Sequence, residues 1–199
     1  MMPNRNRFLP AAYLPGVLVA TGLLASMDAA AAQGKPSPYC DALLEPAHIA
    51  AAVAQDDTGL ARRTGGFMAE DNGRCSRIYS IGGSRFSDEL IFLATPARDP
   101  AAAREDIDRM AGEAQREGYF GIEESDHPGE AAVRFIRPDP LSSHRIELNV
   151  SFAQDGVVYE LKYQSVDDGE LNKFVLTLDE LREIAAGVAL RATRLRMSD

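Results

Sequence analysis

Apolar and polar side chains alternate with a period of two through much of the second half of the chain. In "HRIELNVSF", Ile146, Leu148, Val150 and Phe152 fall on one side and Arg145, Glu147, Asn149 and Ser151 on the other. In "VVYELKYQS", Val157, Tyr159, Leu161 and Tyr163 oppose Glu160 and Lys162. Such alternation predicts two half-buried strands, and the intervening "AQDG" predicts the tight turn of an antiparallel hairpin. By this pattern the Ile146 side is core and Glu147 and Asn149 face water. "GEAAVRFIRP" reads as a further strand closed by Pro138, and "CSRIYSIG" as a short one. "DELIFLAT" carries apolar residues on both faces and so belongs inside a sheet, covered on each side.

Elsewhere the period lengthens to that of a helix. In "DPAAAREDIDRMAGEAQREG", Asp99 is placed to cap, Pro100 to begin and Gly118 to stop a helix whose stripe is Ala103, Ile107, Met110 and Ala114. Near the C-terminus Thr177 and Glu180 have capping-box spacing ahead of Leu181, Ile184, Ala185, Val188, Ala192 and Leu195. "CDALLEPAHIAAAVAQ" reads as one first helix with Pro46 in its opening turn and Ile49, Ala50 and Val53 as its stripe. The expected fold is therefore α+β: a mostly antiparallel sheet of about five strands, with two or three helices on its apolar side.

The beginning of the chain has another character. Arg5 and Arg7 precede an uncharged apolar run, broken by Pro10, Pro15 and Gly16, that ends in small residues before Gln33. These are the parts of an export signal, so residues 1–32 are expected to be a signal peptide, 33–39 a flexible leader and 40–199 a single domain, periplasmic or secreted and soluble after cleavage. No stable membrane span is expected in the mature chain.

Two cysteines remain in that chain, Cys40 and Cys75. An even count without a CxxC spacing, in an oxidising compartment, favours one structural disulfide. A lipid anchor would require cysteine directly after the cut, and a nucleophile would require a nearby base. Only His48, His127 and His144 could supply one, and none is close to either cysteine in sequence. The formal charge of -9 argues against nucleic acid, whose binding relies on Lys and Arg neutralising phosphate.

"CDALLEPAHIAAAVA", "CSRIY" and "HPGEAAVRF", followed by a hairpin and a last amphipathic helix, resemble small secreted or lipid-anchored bacterial extracytoplasmic domains of the sensor-like or accessory lipoprotein type. The resemblance implies a sandwich of helices on an antiparallel sheet, with a disulfide joining the first helix region to the sheet. It implies no catalytic residues. The chain departs from that pattern in having its first cysteine away from the cleavage site and in matching only part of the turn, at Pro128, Gly129 and Glu130.

Catalytic and metal-binding patterns are weak. "EESDH" at 123–127 gathers carboxylates and an imidazole but reads more simply as a solvated turn. "DDGELNK" breaks the ligand alternation of a calcium loop, and "SIGGSR" has neither a phosphate-loop lysine nor a nucleophile elbow. No cofactor is expected. The sequence favours a non-enzymatic binding or accessory domain that recognises a protein or cell-envelope component; a small-ligand carrier or sensor, an inhibitor or immunity-type protein and a hydrolase are alternatives. The expected contact surface is the 58–72 link with the 119–129 turn, carrying Arg62, Arg63, Phe67, Tyr119 and Glu124.

Overall fold

A computed structural model of the chain describes residues 38–53, 60–62, 74–81, 88–138, 146–165 and 176–197, all within one compact unit, Gln33–Asp199. Residues 1–37, with the expected signal peptide and most of the expected leader, lie outside the described residues. Helices α1 (Pro38–Leu43) and α2 (Pro46–Val53) are followed by strands β1 (Leu60–Arg62), β2 (Cys75–Ile81) and β3 (Asp88–Pro96). Then come α3 (Pro100–Arg116), β4 (Phe120–Ser125), β5 (Ala131–Pro138), β6 (Ile146–Gln154), β7 (Val157–Gln164) and α4 (Leu178–Arg196). The strands form one antiparallel sheet in the order β1-β2-β3-β7-β6-β5-β4.

The α+β class is as expected, and the five predicted strands are β2, β3, β5, β6 and β7. The two further strands are the sheet's edges. The single first helix is a correction: the chain leaves helical geometry at Leu44 and Glu45 and starts again at Pro46. Proline disfavours helical backbone in the residue before it and has no N–H for an intrahelical bond, so it begins α2. The expectation of helices on one side of the sheet is also corrected, because α3 lies on the opposite face from α1, α2 and α4.

Strand alternation produces this two-sided arrangement. On the first face, Leu148, Val150 and Phe152 of β6 join Tyr159, Leu161 and Tyr163 of β7 and Leu90, Phe92 and Ala94 of β3 beneath the α4 stripe. Phe152 and Phe92 stack on Tyr159, with ring centroids 4.9 and 6.4 Å away. On the second face a smaller cluster joins Ala103, Ile107, Ala111 and Ala114 of α3 to Val133, Phe135, Ala153 and Val158. Alanines on the helix allow close approach. Asp99 caps α3 through the amide of Ala102, and Thr177 and Glu180 form the expected capping box on α4.

The turn between β6 and β7 is Asp155-Gly156, with φ of 54° and 79°, the left-handed pair that a two-residue hairpin requires. Gly129 has a different constraint. A Cβ there would lie 2.4 Å from the Ala153 carbonyl oxygen, so only glycine lets the β4–β5 connection pass this close to β6.

Three inward positions of β2 fasten α1 to the sheet. Cys75 forms the disulfide with Cys40, Arg77 donates to Asp41 at 2.9 Å, and the Tyr79 hydroxyl donates to the Leu44 carbonyl. Arg191 of α4 donates to the neighbouring Leu43 carbonyl at 2.6 Å. Carbonyls freed where the helix breaks thus find side-chain donors. Both cysteines are buried, so the bridge is part of the core. Thiol alkylation of the denatured, unreduced protein should therefore modify neither cysteine. Replacing both by serine should lower the unfolding free energy by up to about 4 kcal/mol in urea titrations. Two modifiable thiols, or unchanged stability, would contradict this role.

Candidate functional site

On the second face α3 covers only part of the sheet, and beside it lies an open groove of about 640 Å³. Its floor follows from strand pairing: Arg137 and Glu147 are neighbours across β5 and β6, Phe135, Asn149 and Lys162 across β5, β6 and β7 in the next row, and Ser151 and Glu160 across β6 and β7 in the third. Arg109, Met110, Glu113 and Arg116 of α3 form its wall. Tyr119, just beyond α3, stands at one end with its ring 5.5 Å from Phe135, and the Arg137 guanidinium lies 5.9 Å over that ring. Polar side chains on one face of an antiparallel sheet are the ordinary counterpart of an apolar opposite face; here α3 lies over part of the polar one.

These polar groups are extensively paired. Asn149, buried to 1 % exposure, donates its amide to Glu147 Oε1 at 2.8 Å, while Gln164 donates to Glu147 Oε2 at 2.6 Å. Lys162 pairs with Glu160 at 2.7 Å. Arg109 bridges Asp106 and Glu113 along α3 at 2.7 and 3.3 Å, and hydrogen bonds to both carboxylates hold its guanidinium above its ordinary pKa. Charges of both signs alternate around the groove, which suits a polar or mixed-charge occupant better than a purely apolar one.

Asn149 was expected to face water. It is instead buried, and so is Ser151, because α3 and neighbouring side chains shield this face of β6. Alternation correctly separates the two sides of the strand, yet it does not tell whether a helix lies over the polar one.

Among the described residues, the expected contact positions fall at different edges of the sheet. Arg62 is on β1 at one edge of the sheet, whereas Tyr119 and Glu124 are near β4 at the other. Arg63 and Phe67 lie outside the described residues. Tyr119 lines the groove, and Glu124 is exposed on β4, accepting from Gln115 at 3.4 Å. Most of the segment read as a turn at 119–129 is this edge strand. Within "EESDH", Glu123 pairs with Arg134, which also reaches Asp179 of α4 at 2.7 Å, while His127 is exposed. Among the described residues no group of three or more His, Cys, Asp or Glu is arranged to hold a metal ion, and no helix is long and apolar enough to cross a membrane. His144, "DDGELNK" and most of "SIGGSR" lie outside the described residues.

Arg109, Arg137, Glu147, Asn149 and Lys162 were not singled out from sequence. The available signal was the apolar stripe of α3 together with Val133 and Val158 on the strands' otherwise polar side, which together call for a helix there. Comparison with known proteins finds no matching family, no similar curated protein and no solved structure of matching fold. Of what the sequence resemblance implies, the small α+β fold and the disulfide are present.

Two measurements check this description. Asn149→Ala removes a buried donor from Glu147, and should cost about 1–3 kcal/mol in urea denaturation; an effect within about 0.5 kcal/mol would fit an exposed Asn149 instead. The second concerns His48, whose Nδ1 accepts the Glu45 amide at 3.1 Å. Burial foremost, then Arg191, lowers its pKa below 6.5, against a smaller opposing effect of Glu45. The folded state thus disfavours the imidazolium. Its contribution to stability is complete above pH 6.5, decreases as the unfolded chain takes up the proton, and levels off below the folded pKa. An NMR titration should place the His48 midpoint below 6.5, and a midpoint above it would contradict the assignment.

Proposed function

We propose that the chain is a non-enzymatic extracytoplasmic binding or accessory domain that meets a protein or cell-envelope component in the groove between α3 and the sheet. The export pattern of residues 1–32 supports the compartment. The observation that carries the site is the set of partly exposed charged side chains, Glu147, Glu160 and Lys162, that line the groove beside α3 with buried Asn149 and Ser151 among them. A bridged core beneath this face would hold the site in place while α3 and Tyr119 supply contacts. A sensor or carrier role would use the same groove with a small polar ligand.

The inhibitor or immunity-type reading has an observation of its own at β4. Phe120 is 63 % exposed there, beside the exposed Glu123 and Glu124, and gives an aromatic and acidic edge.

Affinity recovery from a cell-envelope extract of the source cell separates these readings. Arg109→Glu with Lys162→Glu should reduce recovery of the bound partner at least roughly tenfold, while Phe120→Ser with Glu124→Lys leaves it unchanged and both variants retain the circular dichroism of the parent. The reverse pattern would transfer the contact to β4 and favour an inhibitor. Stoichiometric recovery of a small molecule without protein would favour a carrier.

A further inference from the structure

Within the groove one ion pair is unlike its neighbours. Lys162 meets Glu160, and Arg109 meets Asp106, at 2.7 Å, but Arg137 stands 3.8 Å from Glu147. Its guanidinium lies over the Tyr119 ring, and its side chain is 46 % exposed against 14 % for Glu147. The Glu147 carboxylate is held from the sheet side, one oxygen by buried Asn149 and the other by Gln164. A carboxylate has about four acceptor positions, so these two amides fix its orientation and leave capacity for a cation approaching from the groove. Amide donors orient the group without neutralising it. A second, closer cation would gain charge-assisted hydrogen bonds at a site already arranged to receive them.

We propose that Glu147 is the specificity anchor of the groove, and that it takes the guanidinium of an arginine side chain presented by a protein partner, with Arg137 as the internal cation that gives way. This rests on the groove being the contact surface. Planar guanidinium is the favoured cation because it can donate two parallel hydrogen bonds to one carboxylate. Arg109 and Lys162 are engaged with their own carboxylates. The partner's arginine therefore displaces only the long contact, and Arg137 retains its place against Tyr119.

The test uses the full chain, isotopically labelled, with acetyl-Ala-Arg-Ala-amide as probe and acetyl-Ala-Glu-Ala-amide as its counterpart. The arginine peptide should produce saturable shifts in the side-chain amide signals of Asn149 and Gln164. Glu147→Gln should weaken its binding roughly tenfold or more, the loss expected of a hydrogen bond to a charged group. Arg137→Ala should tighten it by removing the competing cation. A merely structural role for Glu147 does not produce that gain. Unchanged affinity in Glu147→Gln, or weaker binding in Arg137→Ala, would overturn the anchor. Shifts with the glutamate peptide alone would also overturn it while retaining the groove as a binding surface, whereas silence from both peptides would overturn the anchor and leave the groove to the envelope-extract experiment.

Discussion

The pairing register of β6 and β7 determines both faces of this domain at once. Phe152 opposite Tyr159, Val150 opposite Leu161 and Leu148 opposite Tyr163 make the middle of the core under α4. One residue along, Ser151 opposite Glu160, Asn149 opposite Lys162, and Glu147 beyond them make the groove floor. A slip by one residue would exchange these sets, bringing ionic groups against α4 and aromatic rings into the groove. The short Asp155-Gly156 turn resists such a slip, as does the aromatic stack on the core side. Fold and candidate site therefore share a single determinant.

The rest of the architecture attaches to this hairpin from its flanks. On one side β3 connects it to β2, whose inward row of Cys75, Arg77 and Tyr79 secures α1 by three different kinds of interaction. The buried Arg77 gives specificity to that contact through Asp41, since an arginine withdrawn from water is strongly disfavoured unless its charge is met. On the other side β5 supplies Val133 and Phe135 to the small cluster under α3. Helix α3 is narrow at its contact because of its alanines, and the groove lies beside it.

Legibility in the sequence followed the strength of the periodic signal. Helices α3 and α4 could be read from their stripes and caps, and the five inner strands from alternation or from a continuous apolar run. The edge strands β1 and β4 were missed for related reasons: β1 has three residues, and β4 has the exposed residues Phe120, Gly121, Glu123 and Glu124, with a register shift between Phe120 and Glu123. Neither segment shows a clean apolar face. The groove was missed because Glu147, Asn149, Glu160 and Lys162 have the same pattern as an ordinary wet face. Their partial enclosure comes from α3, a distant segment, and local alternation contains no information about that crossing. Cys40 and Cys75 were legible because their chemistry, rather than their local pattern, implied a partner.

Cross-strand proton contacts in solution test the shared determinant most directly. A nuclear Overhauser map of the labelled chain should connect the backbone of Asn149 with Lys162, Val150 with Leu161 and Ser151 with Glu160, in agreement with one antiparallel register. Contacts that instead set Asn149 opposite Leu161 and Val150 opposite Glu160 would mean a one-residue slip. The aromatic core and the polar groove could not then lie on the faces described for them.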